Sequence, residues 1–83
     1  MTEQEMLTLF TNTLRDLLAD DSIVVNMQTT RPEVPGWDSF SYINFIAAIE
    51  MELKIRFNIA DVESFENVGA IVRRAQQLQG AKR

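Results

Sequence analysis

The chain's 83 residues carry 12 acids against 8 bases, with no cysteine and no histidine. Such a length fits one small domain with a single modest core. The missing side chains exclude disulfides, Cys or His metal sites and Ser-His or Cys-His catalysis, and the net charge of −4 opposes nucleic acid and anionic membranes as partners.

Thr2 and Glu5 have capping-box spacing. Met6, Leu7, Phe10, Leu14, Leu17 and Leu18 then recur at helical spacing. A first helix is predicted over 3–19, closed by Asp20-Asp21-Ser22, whose charges oppose the negative end of a helix. Residues 20–38 read as a long connection. Ile23, Val25 and Met27 are expected to plug the core as it passes, since the β-branched run at 23–25 is too short for a sheet. Pro32 and Pro35 oppose helix, and Pro35-Gly36 reads as a turn. Ordered loops of this length are uncommon and often functional.

A second helix is predicted over 39–53, roughly 22 Å long. At about 100° per residue, Tyr42, Phe45, Ile46, Ile49 and Leu53 share one stripe, which is the expected core face. Phe40, Ile43, Ala47 and Met51 form a second stripe pointing largely away from it. A helix apolar on two sides is either wholly buried or has a partner. A short helix at 59–64 covers the second stripe, or these four residues stay partly exposed as a docking surface, or both hold with the short helix covering one edge.

After a turn at Lys54–Asn58, residues 59–64 allow a short helix, and a last helix starts near Glu66 or Asn67, the latter a good N-cap type. Val68, Ile71, Val72, Ala75 and Leu78 make its apolar face, Arg73 and Arg74 lie outside it, and Gly80 is expected to end it. The sum is an all-α fold: a small four-helix bundle of three main helices and one short one, with a long loop between helices 1 and 2. One domain spans 1–83, with residues 3–79 ordered. Charge is uneven. Residues 33–66 hold Glu33, Asp38, Glu50, Glu52, Asp61, Glu63 and Glu66 against Lys54 and Arg56, whereas 67–83 hold Arg73, Arg74, Lys82 and Arg83 and no acid. A basic partner would be drawn to the middle of the chain. No apolar run approaches the roughly 20 residues of a membrane span, and the start lacks a basic signal region. A cytoplasmic protein, not inserted in a membrane, is the expectation, and the absence of cysteine fits it.

Asp38 and Ser39 are both N-cap types, so Ser39 alone reads as a helix start. An unassisted serine hydroxyl is a poor nucleophile, and nothing in this chain activates it. If Ser39 reacts, another enzyme does the chemistry.

These residues carry a resemblance. "GWDSF" followed by "SYINFIAAIEMELKIRF" resembles the acyl carrier protein family, whose attachment motif is Gly-x-Asp-Ser-Leu with the serine opening helix 2. Gly36, Asp38 and Ser39 match, and Phe40 stands at the large apolar position. "AIEMEL" and "SFENVGAIV" extend the similarity, which covers most of residues 3–78. The resemblance implies a carrier rather than an enzyme. A phosphopantetheinyl transferase, using Mg²⁺ that it holds itself, would move 4′-phosphopantetheine from coenzyme A onto Ser39. The arm's thiol would then hold acyl groups as thioesters. Acyl- or aminoacyl-loading enzymes, acyl transferases and synthases would be the other partners of a monomeric shuttle. Gly36 and Asp38 would flank the attachment site. Phe40, Ile43, Ala47 and Met51 would supply apolar contact to partners, with Asp38, Glu50 and Glu52 offering charge. Ser41, Asn44 and Met51 stand where fatty-acid carriers commonly have acids, and Trp37 with Phe40 looks more like carriers of polyketide, nonribosomal peptide or cell-surface polymer pathways than of fatty-acid synthesis. The alternative is an unmodified helical interaction module in which Ser39 is only a helix-start residue. An independent enzyme is disfavoured because Glu50 and Glu52, at i and i+2, do not face each other. The charge speaks against a DNA-binding helix-turn-helix, and residues 20–22 lack the pattern of a calcium loop.

Overall fold

In the computed structural model, which describes residues 1–81, four α-helices follow one another. Lys82 and Arg83, half of the basic C-terminal cluster, lie outside the described residues. Helix α1 runs Glu3–Leu18, α2 Ser39–Leu53, α3 Ile59–Ser64 and α4 Val68–Ala81, and a single 3₁₀ turn, Arg31–Glu33, interrupts the long loop. Among the described residues there is no strand. The expected all-helical bundle is therefore the fold.

Each helix begins where its sequence predicts. Thr2 accepts from the Glu5 N–H at 3.1 Å, and Glu5 accepts from the Thr2 N–H at 2.8 Å, closing the capping box. Asn58 caps α3 through the Asp61 N–H at 2.7 Å, and the Asn67 side chain accepts from the Ala70 N–H at 2.9 Å at the start of α4. The ends differ more. α1 stops at Leu18 because Ala19 turns left-handed (φ 51°), and Lys54 closes α2 in the same way (φ 56°). Gly80 does not end α4, which continues to Ala81. An interior glycine weakens a helix by about 1 kcal/mol without breaking it. Pro32 does not bar helical geometry either. It sits in the first turn of the 3₁₀ segment, where its missing N–H costs nothing.

The core draws on α1, α2, α4 and the connecting loops, while α3 buries no residue fully. Met6, Phe10 and Leu14 of α1, Phe45 and Ile49 of α2, and Val68, Val72 and Ala75 of α4 are fully buried. Leu17, at the edge of the predicted α1 stripe, is 40% exposed instead. Ile23, Val25 and Met27 are buried as expected and Thr29 is buried with them, while Val24, Asn26 and Gln28 are exposed. Two backbone bonds then pin the loop to the start of α4, Val68 N–H to the Thr29 carbonyl and Gly69 N–H to the Met27 carbonyl, both at 2.8 Å.

Candidate functional site at the start of α2

A tight turn sets the position of Ser39. The Trp37 N–H donates to the Val34 carbonyl at 3.1 Å, with Pro35 and Gly36 at the corners. Gly36 has φ +86°, the left-handed value that a type II turn requires at that corner. Trp37 is buried beyond the turn, so Asp38 and Ser39 emerge at the surface.

Asp38, not Ser39, caps α2. Its carboxylate accepts from the Ser41 N–H at 3.0 Å, and its own N–H donates to Ser41 Oγ at 2.9 Å. The Ser41 hydroxyl also reaches the Gly36 carbonyl at 2.8 Å, tying turn to helix. Sequence reading treats Ser41 only as a missing acid; its Asp-x-x-Ser spacing was the available signal of a reciprocal cap. Ser39 is thereby left as the first residue of α2, exposed, with its hydroxyl not needed for capping.

The Ser41 backbone bond, helped by the Ser41 side chain, lowers the Asp38 pKa below its ordinary 3.8. A carboxylate depressed in the folded state adds stability above its unfolded value, and that stability is lost as pH falls through the folded value. Asp38→Asn should therefore lower the melting temperature at about pH 6 and make less difference at about pH 3. Thermal melts at the two pH values check this; equal losses at both would contradict it.

The three aromatics around the serine part company. Trp37 and Tyr42 go into the core, where their rings meet edge-on with centroids 6.1 Å apart, and Trp37 meets Phe45 at 5.2 Å. Phe40 goes out. The Tyr42 hydroxyl donates to the Val62 carbonyl of α3 at 2.7 Å, and the Arg31 guanidinium lies 4.5 Å above its ring. Burial pushes the Tyr42 phenol above its usual range, with Arg31 pulling the other way. Neither contact was legible in the sequence, because each joins segments far apart in the chain.

The second stripe of α2 is largely open to solvent. Phe40 is 77% exposed, Ile43 56% and Met51 80%, and Ala47 is exposed as well. Helix α3 covers one edge only. It leaves a groove of about 470 Å³ bordered by Ile43, Ala47, Ile59 and Val62 and adds Ile59, 78% exposed, to the apolar surface. The sequence does not show that Ile59 belongs there. Glu50 is half-buried and accepts from the Phe57 N–H at 2.8 Å, so one carboxylate oxygen is committed to the turn after α2.

Neither a family model nor a curated protein matches the sequence. A solved structure does: the solution NMR structure of a holo acyl carrier protein from Geobacter metallireducens, with a TM-score of 0.84 and 30% identity, covering 93% of this chain and 88% of that one. The chain belongs to the acyl carrier protein family. Its helix order and long first loop are those of a small carrier domain. No helix among the described residues is long and apolar enough to cross a membrane.

Proposed function

We propose that this acyl carrier protein is modified on Ser39 with 4′-phosphopantetheine and shuttles acyl groups between partner enzymes. The observation that carries the reading is an exposed serine at the first position of α2, in a chain of this family, freed from capping by Asp38. The residues fit the group. A phosphodiester on Ser39 would sit at the positive end of α2, which favours anions, and solvent surrounds the side chain where a transferase must reach it. The Ser39 oxygen attacks phosphorus of coenzyme A's pyrophosphate. The new O–P bond replaces the bond to adenosine 3′,5′-bisphosphate, which leaves, and the serine proton passes to a base of the transferase. A base of the transferase fits this chain, in which the Asp38 carboxylate beside Ser39 is already engaged with Ser41. The attached group supplies a terminal thiol, on which acyl cargo is held as a thioester.

Intact-mass measurement after incubation with coenzyme A, Mg²⁺ and a broad-specificity transferase tests the reading. The mass should rise by one phosphopantetheinyl group, and Ser39→Ala should abolish the gain. No gain with several such transferases would favour the unmodified module. In the same assay Ile43→Glu and Met51→Glu should slow transfer several-fold, because Phe40, Ile43, Ala47 and Met51 are the docking surface on this reading. Both positions are exposed, so stability should stay within about 0.5 kcal/mol. Unslowed transfer would remove the docking role.

The apolar stripe also bears on the pathway. Fatty-acid carriers commonly present acids along helix 2, whereas this stripe presents Phe40, Ile43 and Met51. On this reading the carrier serves polyketide, nonribosomal peptide or cell-surface polymer assembly. Efficient loading only by the malonyl transfer of fatty-acid synthesis, across a panel of acyl- and aminoacyl-loading enzymes, would contradict it.

A further inference from the structure

Any chain attached at Ser39 that is to enter the bundle between α2 and α3 meets Tyr42 first. Tyr42 lies one turn beyond Ser39 on the core stripe and ahead of the groove residues Ile43, Ile46 and Ala47. Its hydroxyl bridges the seam to the Val62 carbonyl of α3 at 2.7 Å. Arg31 lies 4.5 Å over its ring on the loop side. Behind it the space is filled. Trp37 meets the Tyr42 ring at 6.1 Å and Phe45 at 5.2 Å, and Phe45 meets Phe10 at 5.3 Å, each edge-on. Phe10 and Phe45 are fully buried.

A dry cavity of about 150 Å³ takes a group as small as benzene only where its walls are apolar. A space of about 150 Å³ does lie beside Trp37 and Tyr42, but Thr29, Arg31, Glu66 and Asn67 contribute to its walls. That lining would leave polar groups without water beside an alkyl chain, at a cost in free energy. The groove between α2 and α3 is lined by Glu50, Arg56, Asn58 and Glu63 as well as by apolar residues, so an alkyl chain laid there would lie against charged and polar groups. Entry into the core proper requires breaking the Tyr42–Val62 bond and displacing the Tyr42 ring.

Resting on the carrier reading above, we propose that Tyr42 is a gate that keeps the attached acyl group outside the bundle, so that the cargo is short or polar and not a long alkyl chain. Tyr42 acts here as a positioning residue, since it excludes the cargo without reacting with it.

The test loads Ser39 directly with butyryl-, octanoyl- and dodecanoyl-phosphopantetheine from the corresponding acyl-coenzyme A, with loading confirmed by mass. Melting temperature and the emission of Trp37, the one tryptophan of the chain, are then read for each. In the natural sequence both should be independent of chain length, within about 1 °C for the melt. In Tyr42→Val, which opens the seam, the melting temperature should climb with chain length and the emission should shift. Tyr42→Phe keeps the ring and guards against loss of the fold; it should show the same trend more weakly, because only the bond to Val62 is gone. Chain-length dependence in the natural sequence would overturn the gate, as would its absence from both variants. A protein that takes up no mass at Ser39 would overturn the carrier reading, and the gate with it.

Discussion

Phe45→Ala should cost about 3–5 kcal/mol of folding free energy, the usual range for truncating a buried phenylalanine. Phe45 is fully buried at the centre of α2 and joins the ring of Phe10 on α1 to that of Trp37 behind the Ser39 turn. Removing it opens a void between two helices and a loop. Edge-to-face ring pairs add about 0.5–1.5 kcal/mol each beyond area burial, and two would be lost together. A domain of this size has no more than that in reserve at the low end, given about 0.05–0.15 kcal/mol per residue. Equilibrium urea denaturation should show a large fall in the midpoint, or a chain already partly unfolded in buffer. Phe40→Ala, five residues earlier on the same helix, is the control. Its ring is 77% exposed, so its loss should shift stability by no more than about 0.5 kcal/mol. Similar effects at the two positions would mean that the two faces of α2 are assigned wrongly.

The contrast between those phenylalanines also explains what the sequence could reveal. Periodicity separates the two stripes of α2, and burial follows it from Tyr42 through Leu53. The start of α2 was readable because Asp38 is a cap type, whereas the reciprocal partner Ser41 and the matching Asn58–Asp61 pair at α3 went unread. Local chemistry carries that much. Contacts between distant segments leave no such trace. Nothing near Tyr42 announces a bond to Val62, nothing near Glu50 a bond to Phe57, and nothing near Ile59 its place beside the α2 stripe. Ser39 itself was legible only through resemblance. Composition says that the serine cannot act alone, and the structure adds that Asp38 and Ser41 do the capping. Whether the stripe is covered depended on where the chain turns between Lys54 and Asn58, which periodicity does not encode. Glycine is the other residue whose meaning is tertiary, because helix propensity treats Gly69 and Gly80 alike.

Those two glycines, both inside α4, should answer alanine with opposite signs. A Cβ at Gly80 would meet nothing within 4 Å, so Gly80→Ala should stabilise by up to about 1 kcal/mol through helix propensity. A Cβ at Gly69 would lie 2.6 Å from the Met27 carbonyl oxygen and 3.3 Å from the Met27 Cβ. The nearer obstacle is backbone, which cannot rotate aside as a side chain can. It is also the carbonyl that accepts the Gly69 N–H at 2.8 Å, and the neighbouring Val68 N–H to Thr29 bond holds the same stretch of loop. Alanine would push Met27 and Thr29 away from α4, stretching both bonds and lifting the buried Met27 side chain from the core. Overpacking of this kind costs about 1–3 kcal/mol, which exceeds the propensity gain, so Gly69→Ala should destabilise. Amide hydrogen exchange at Val68 and Gly69 should accelerate in the variant, and chemical denaturation gives the sign. The loop lifted by that change leads into Arg31 and the turn at 34–37, so the same substitution should loosen the support of Ser39. A stabilised Gly69→Ala protein with unchanged exchange would mean that the loop does not approach α4 this closely.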